Sequence, residues 1–334
     1  MSTADARQLL ARLIGGYRNT QMIAVAARLG LADRLADGPR GAAELAALVG
    51  AAPQPLHRLL RGLVNIGVLH EDVDGRFRLT AVGAFLRSDV SDSQRAWAIW
   101  EGDTSYRAWG ELELSVRTGR TAFEAHFGRP FFEELTANEA RGRQFDAAMV
   151  SFTSAIGAAV AAAYDFSPFR TVVDVGGGHG TVIAAILQAH PRPRGVLFDL
   201  PHVAAGARAL LERAGVAERC RIAGGDFFQA VPRGDCYVLS HIIHDWEDGP
   251  ARAILRRCRE AMDGDGRLLI VEKYMPEPMV AGAVPPGTDV NMLVLTGGRE
   301  RTEAEYRTLL EGAGLRLTRV IPTASMASIF EAQP

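Results

Sequence analysis

The spacing of apolar residues along the chain changes near residue 165, and that change predicts its organisation. Upstream, apolar positions recur at helical intervals over 22–35, 42–49 and 55–69, with the turn Gly50-Ala-Ala-Pro53 between the last two. From 67 to 80 the pattern alternates apolar and polar around Asp74-Gly75, which predicts a hairpin. Three helices and a hairpin predict a winged helix-turn-helix. Segments at 97–164 are again helical and carry large apolar residues, among them Trp97, Trp100, Trp109, Phe131, Phe145 and Met149. From 171 onward strand-like runs at 171–175, 195–199, 220–224, 236–241, 267–272 and near the C-terminus alternate with helical runs. That order predicts an α/β doubly wound, mainly parallel sheet. The expected domains are 1–110, a helical linker at 111–165, and 166–334.

Composition narrows the partners. The 334 residues carry a net charge of -2 and are 48% hydrophobic, as in a globular chain rather than a nucleic-acid or acidic-membrane binder. The first hundred positions hold 12 arginines against nine acidic residues, little for neutralising phosphates. Arg58 and Arg61 lie among leucines on the would-be recognition helix, so the winged helix is expected to dimerise rather than bind DNA. Cys220, Cys236 and Cys258 form no C-x-x-C pair, which fits a reducing cytoplasm. The N-terminus lacks the charged and apolar regions of an export signal, and the small-apolar run at 155–164 is too short to span a bilayer. Lys273 is the only lysine, which excludes a G-x-x-x-x-G-K-[ST] phosphate loop.

The chemistry concentrates after the first strand of the parallel region. Asp174-Val-Gly-Gly-Gly-His-Gly180 runs from a buried strand into a glycine-dense turn and then a helix whose free N–H groups aim at the same spot. Read from Gly176 or Gly178, a G-x-G-x-x-G/A dinucleotide frame ends on Thr181 or Ile183 and fails; read from Gly177 it fails at His179. An acidic strand end beside glycines that admit close approach fits a cationic or amine-bearing ligand. Asp199 ends the next strand, about 25 positions on, where a carboxylate accepts hydrogen bonds from ribose hydroxyls. Asp226 offers an acceptor for an exocyclic amine and Phe227 an aromatic face for a purine. Together they describe a nucleoside with a short polar tail and no phosphates, a description that S-adenosylmethionine meets.

At this point the chain resembles a family. Asp174-Val-Gly-Gly-Gly-His-Gly180, Phe198-Asp-Leu-Pro-His202, Gly224-Gly-Asp-Phe-Phe228, Ser240-His-Ile-Ile-His-Asp-Trp-Glu-Asp248, Leu269-Ile-Val-Glu272 and Gly297-Gly-Arg-Glu-Arg-Thr302 look like the successive motifs of small-molecule O-methyltransferases, which include plant caffeate and flavonoid enzymes and bacterial polyketide-tailoring enzymes. The resemblance covers nearly the whole chain. It implies a Rossmann-like methyltransferase domain preceded by a winged-helix dimerisation domain, and methyl transfer from S-adenosylmethionine to a hydroxyl of an aromatic secondary metabolite. It places cofactor contacts at Gly176, Gly178, Asp199, Leu200, Asp226, Phe227 and Ser240, the catalytic base at His244, and orienting glutamates at Glu272 and Glu300. Ser240 departs from the pattern, since many plant members carry lysine there.

A histidine base suits a phenol, whose pKa near 10 leaves it a weak nucleophile at neutral pH. An ordinary imidazole would titrate around 6 to 7. No third ligand accompanies His241 and His244, and the resemblance is to the metal-independent class, so no metal is expected. Substrate contacts are expected at Phe131, Phe145, Met149, Asp289, Asn291 and Met292, which suit a flat, partly polar aromatic. The rival reading is a DNA-binding regulator whose α/β domain senses a ligand.

Overall fold

A computed structural model describes residues 2–285 and 287–334 and divides the chain into two compact units. The first comprises 1–107 and 143–151; the second comprises 108–142 and 152–334. The stretch expected as a separate linker is thus shared between them.

In the first unit the helix expected at 22–35 is two helices, Tyr17–Arg28 and Leu31–Arg34, because Gly30 takes the left-handed conformation at φ 64°. The Ala42–Val49 and Pro53–Asn65 helices follow. The latter stops short of the expected 69, since Gly67 turns at φ 78° and Leu69 starts a strand. Strands β1 (Arg40–Gly41), β2 (Leu69–Glu71) and β3 (Arg76–Leu79) form an antiparallel sheet of order β1-β3-β2. The hairpin turn is held by Asp72 Oδ1, which accepts from the N–H groups of Asp74 and Arg76 at 3.0 and 2.8 Å. Leu31, Leu45, Leu56, Leu60, Leu63 and Phe77 close the core. The N-terminal helix, Thr3–Ile14, buries nothing and exposes Leu10, Leu13 and Ile14.

The second unit is built on seven strands. Strands β4 (Thr171–Val175), β5 (Arg194–Asp199), β6 (Cys220–Gly224), β7 (Gly234–Ser240) and β8 (Met262–Glu272) are parallel. β9 (Arg316–Pro322) and β10 (Ser328–Gln333) complete the order β6-β5-β4-β7-β8-β10-β9, with β10 antiparallel to both neighbours. Alternate residues feed opposite faces: Val172, Val238 and Leu269 pack with the Thr181–Ala189 helix, while Val173, Tyr237 and Ile270 pack with the Asp248–Ala261 and Glu303–Glu311 helices. Both faces being covered, the strands read as continuous apolar runs.

The Glu139–Ala163 helix is long and apolar enough to cross a membrane, which the short run at 155–164 did not predict. Its distal part instead packs Ile156, Val160 and Ala161 into the core of the second unit.

Candidate active site

The carboxyl ends of β4, β5, β7 and β8 carry the site, as in other doubly wound sheets. After β4 the turn takes positive φ at Gly176 (70°) and Gly178 (58°). A Cβ at Gly176 would overlap the Ile242 side chain, so that glycine makes room for the loop after β7. Gly178 faces open space, which leaves the backbone there bare. Asp199, at the end of β5, accepts from Gly178 N–H at 2.7 Å through Oδ2 and from Leu200 N–H at 2.6 Å through Oδ1. Its carboxylate is therefore locked beside the turn. Asp174 is buried, accepts from Ile183 N–H at 3.3 Å, and has an Oδ1 with no hydrogen-bond partner among the described residues. Burial, with Asp199 adding to it, pushes its carboxyl up to about 7.

Asp226 Oδ1 accepts from Phe228 N–H at 2.8 Å, which shapes its own turn. Phe227 lies edge-on to Phe228 and Trp246, and Trp246 stacks on Phe132 with centroids 5.5 Å apart. Ser240 Oγ sits 3.2 Å from His241 Nδ1.

His244 lies in a short 3-10 turn, Ile243–Asp245, directly after β7. Its Nδ1 is 3.0 Å from Glu300 Oε1, and both side chains are buried. Burial works to lower the imidazole's pKa, but the carboxylates of Glu300 and Glu272 outweigh it and raise it to about 9. This differs from the 6 to 7 expected of an ordinary histidine, because two buried anions lie close by. Asp245, whose Oδ1 is 3.9 Å from His244 Nε2, is itself pushed up to about 7 by burial.

Glu272 does not grip the imidazole. Its Oε1 accepts from the N–H groups of Ile242, Ile243 and His244 at 3.1, 2.6 and 3.1 Å, and its Oε2 accepts from the Tyr306 hydroxyl. It caps the turn as an anion caps a helix N-terminus. On the carbonyl side, fully buried Arg301 donates to Ile243 O at 3.1 Å and Trp246 O at 2.8 Å, while Nε and Nη2 hold Asp248 Oδ1. Arg299 N–H donates to His244 O at 2.8 Å. Asp248, the first residue of the Asp248–Ala261 helix, is thus the acidic partner of this arginine.

Ligating atoms of His244, Glu272 and Glu300 lie within 4.8 Å of one another, a spacing a metal could use. Both Glu272 oxygens already accept backbone and phenol protons, however, and His244 Nδ1 already faces Glu300. The cluster is thus wired for hydrogen bonding. Arg301 and Tyr306 were missed in the sequence. Arg301 stands inside the motif at 297–302, whereas Tyr306 gives no local signal beyond a helical apolar position.

The expected substrate contacts fall in both units. Asp289 Oδ1 accepts from Glu300 N–H at 2.9 Å, and Asn291 Oδ1 accepts from the Trp109 indole at 2.9 Å. Met292 is buried, and Phe131 packs against Phe123 and Phe132. Phe145 and Met149 belong to the first unit, where Phe145 lies edge-on to Trp100 at 5.1 Å.

Sheet order, glycine turn and buried histidine–glutamate pair define a class of methyltransferase, and comparison with known proteins agrees. Residues 109–316 match the O-methyltransferase domain model and residues 11–89 the O-methyltransferase dimerisation domain. The chain is 47% identical to phenazine O-methyltransferase PhzM of Lysobacter antibioticus over 98% of this chain and 96% of that protein. It is 42% identical to O-demethylpuromycin-O-methyltransferase of Streptomyces alboniger, covering 98% and 89%. The human N-acetylserotonin methyltransferase, solved in complex with SAM, superposes with a TM-score of 0.92 at 30% identity, covering 100% and 99%. The chain belongs to the O-methyltransferase family. It is an S-adenosylmethionine-dependent O-methyltransferase.

Proposed function

We propose that this enzyme methylates a hydroxyl on a flat aromatic acceptor, with His244 as general base. The observation that carries the reading is the buried pair of His244 Nδ1 and Glu300 Oε1 at 3.0 Å. With Nδ1 held there, Nε2 is the nitrogen left to take the acceptor's proton, and Glu300 stabilises the imidazolium that forms. Glu272 and Arg301 hold the backbone of the turn from its N–H and carbonyl sides, so the ring is presented from a rigid support.

The cofactor supplies an electrophilic methyl group. The chain's residues fit it: open backbone at Gly178, the locked Asp199 carboxylate and Leu200 for the ribose, and Asp226 with Phe227 for the adenine. Ser240 lies near the same strand end. The phenazine named for the relative at 47% identity supports an aromatic acceptor. Phe131, Phe145, Met149, Asp289, Asn291 and Met292 remain the proposed acceptor contacts. The first unit pairs two copies of the chain, and the enzyme works in the cytoplasm.

Two measurements test the reading. A panel of phenols incubated with S-adenosylmethionine should yield products heavier by one methyl group, detected by mass spectrometry. His244→Ala should then lower kcat by roughly 10² to 10⁴ with cofactor affinity unchanged. Full activity in that variant would leave His244 a purely structural residue.

A further inference from the structure

Resting on the aromatic-acceptor reading, a second histidine of the same loop carries a finer one. Among the described residues His241 alone, apart from glycines, has a positive φ, 57°. Such a conformation in a non-glycine residue is uncommon and clusters at functional sites. The side chain is about nine-tenths buried, and its Nε2 has no hydrogen-bond partner among the described residues. A buried polar atom left alone in a native fold needs an explanation, and a ligand's hydrogen-bond acceptor is one that suits a site beside the catalytic loop.

Three neighbours define the ring's setting. It meets His244 edge-on with centroids 5.3 Å apart, and Phe152 edge-on at 5.2 Å. Ser240 Oγ lies 3.2 Å from its Nδ1, which fixes the ring's orientation. Burial, then the charges of His244 and Lys273, keep the imidazole neutral, its pKa well below the usual range. A neutral imidazole has one N–H and one lone pair.

We propose that Ser240 donates its hydroxyl proton to His241 Nδ1, leaving Nε2–H to bind a lone pair on the acceptor beside the hydroxyl that His244 deprotonates. His241 is then a specificity-determining residue. The preferred acceptors carry a ring nitrogen, carbonyl or carboxylate next to the methylated oxygen. A site built to hydrogen-bond a substrate group discriminates strongly against analogues without it, because its own polar atom is then left unpaired.

The test uses two flat probes of similar size, 8-hydroxyquinoline, with a ring nitrogen beside the hydroxyl, and 1-naphthol, without one. Their dissociation constants are measured by calorimetry on the full-length protein loaded with S-adenosylhomocysteine. The wild type should prefer 8-hydroxyquinoline by about tenfold or more. His241→Phe, which keeps an aromatic ring beside Phe152, should erase the preference by weakening that probe alone. His241→Gln, which keeps a side-chain N–H, should restore part of it. Unchanged S-adenosylhomocysteine affinity in both variants establishes that they are folded. A preference that survives in His241→Phe, or is absent in the wild type although both probes bind, overturns this inference and leaves the aromatic-acceptor reading standing. Failure of the wild type to bind either probe overturns both.

Discussion

Replacing Glu300 by Gln removes the charge nearest the imidazole while keeping the side chain's shape. Raising His244 from 6.5 to about 9 against the opposing effect of burial represents roughly 3 kcal/mol in favour of imidazolium. Glu300 is the largest source of that bias, through charge and hydrogen bond together. The base must be neutral to act, so in the wild type kcat/KM should climb as pH rises and level off above about 9. In Glu300→Gln, where burial is opposed only by Glu272 and the weaker contribution of Asp245, the climb should move down toward the ordinary imidazole range near 6.5. The plateau should also fall, by roughly 10² to 10⁴, because the imidazolium is no longer stabilised and the amide favours the wrong tautomer.

Stability should show the same linkage with its own sign. A histidine raised in the folded state adds stability that is fully present below its unfolded pKa near 6.5 and is lost as pH rises through about 9. The wild type should thus lose up to roughly 3 kcal/mol across that window, and Glu300→Gln should lose much less. Rate profiles between pH 6 and 10, an NMR titration of the His244 ring and urea melts at each pH supply the readings. An inflection that stays near 9 in the variant, or sits at 6 to 7 in the wild type, would refute the assignment of the shift to Glu300.

Three further outcomes are expected. Glu272→Ala orphans three backbone N–H groups, two of them buried, and should cost about 2 kcal/mol or more in urea denaturation, whereas a loss of kcat with unchanged stability would mean that Glu272 acts on the ring itself. Asp199→Ala should weaken S-adenosylmethionine binding by about 1.5 to 3 kcal/mol in calorimetry, and an unchanged affinity would remove Asp199 from the cofactor site. Paired Leu13→Asp and Ile14→Asp substitutions on the exposed N-terminal helix should shift the protein toward monomer in sedimentation, and an unaltered dimer would place the interface elsewhere.

Strand period and glycine spacing are local properties, so the sequence carried them without help. The parallel sheet, the turn at 176–180 and Asp199 beside it were legible because β-strands with both faces buried read as apolar runs and a tight turn needs residues that tolerate positive φ. Breaks in the helices were less legible: Gly30 and Gly67 end elements whose apolar spacing continues past them. His244, Glu272 and Glu300 were located by family resemblance, but their division of labour was not. Only the folded chain sets Glu300 against the ring and Glu272 under the backbone, because those contacts join residues 56 and 28 to 30 positions apart in sequence. The same holds for Arg301, Tyr306 and His241. A charge, a phenol and a ring acquire meaning from what surrounds them, and the buried carboxylates that raise His244 to about 9 against the effect of burial stand beside it only once the sheet and its helices close around the loop.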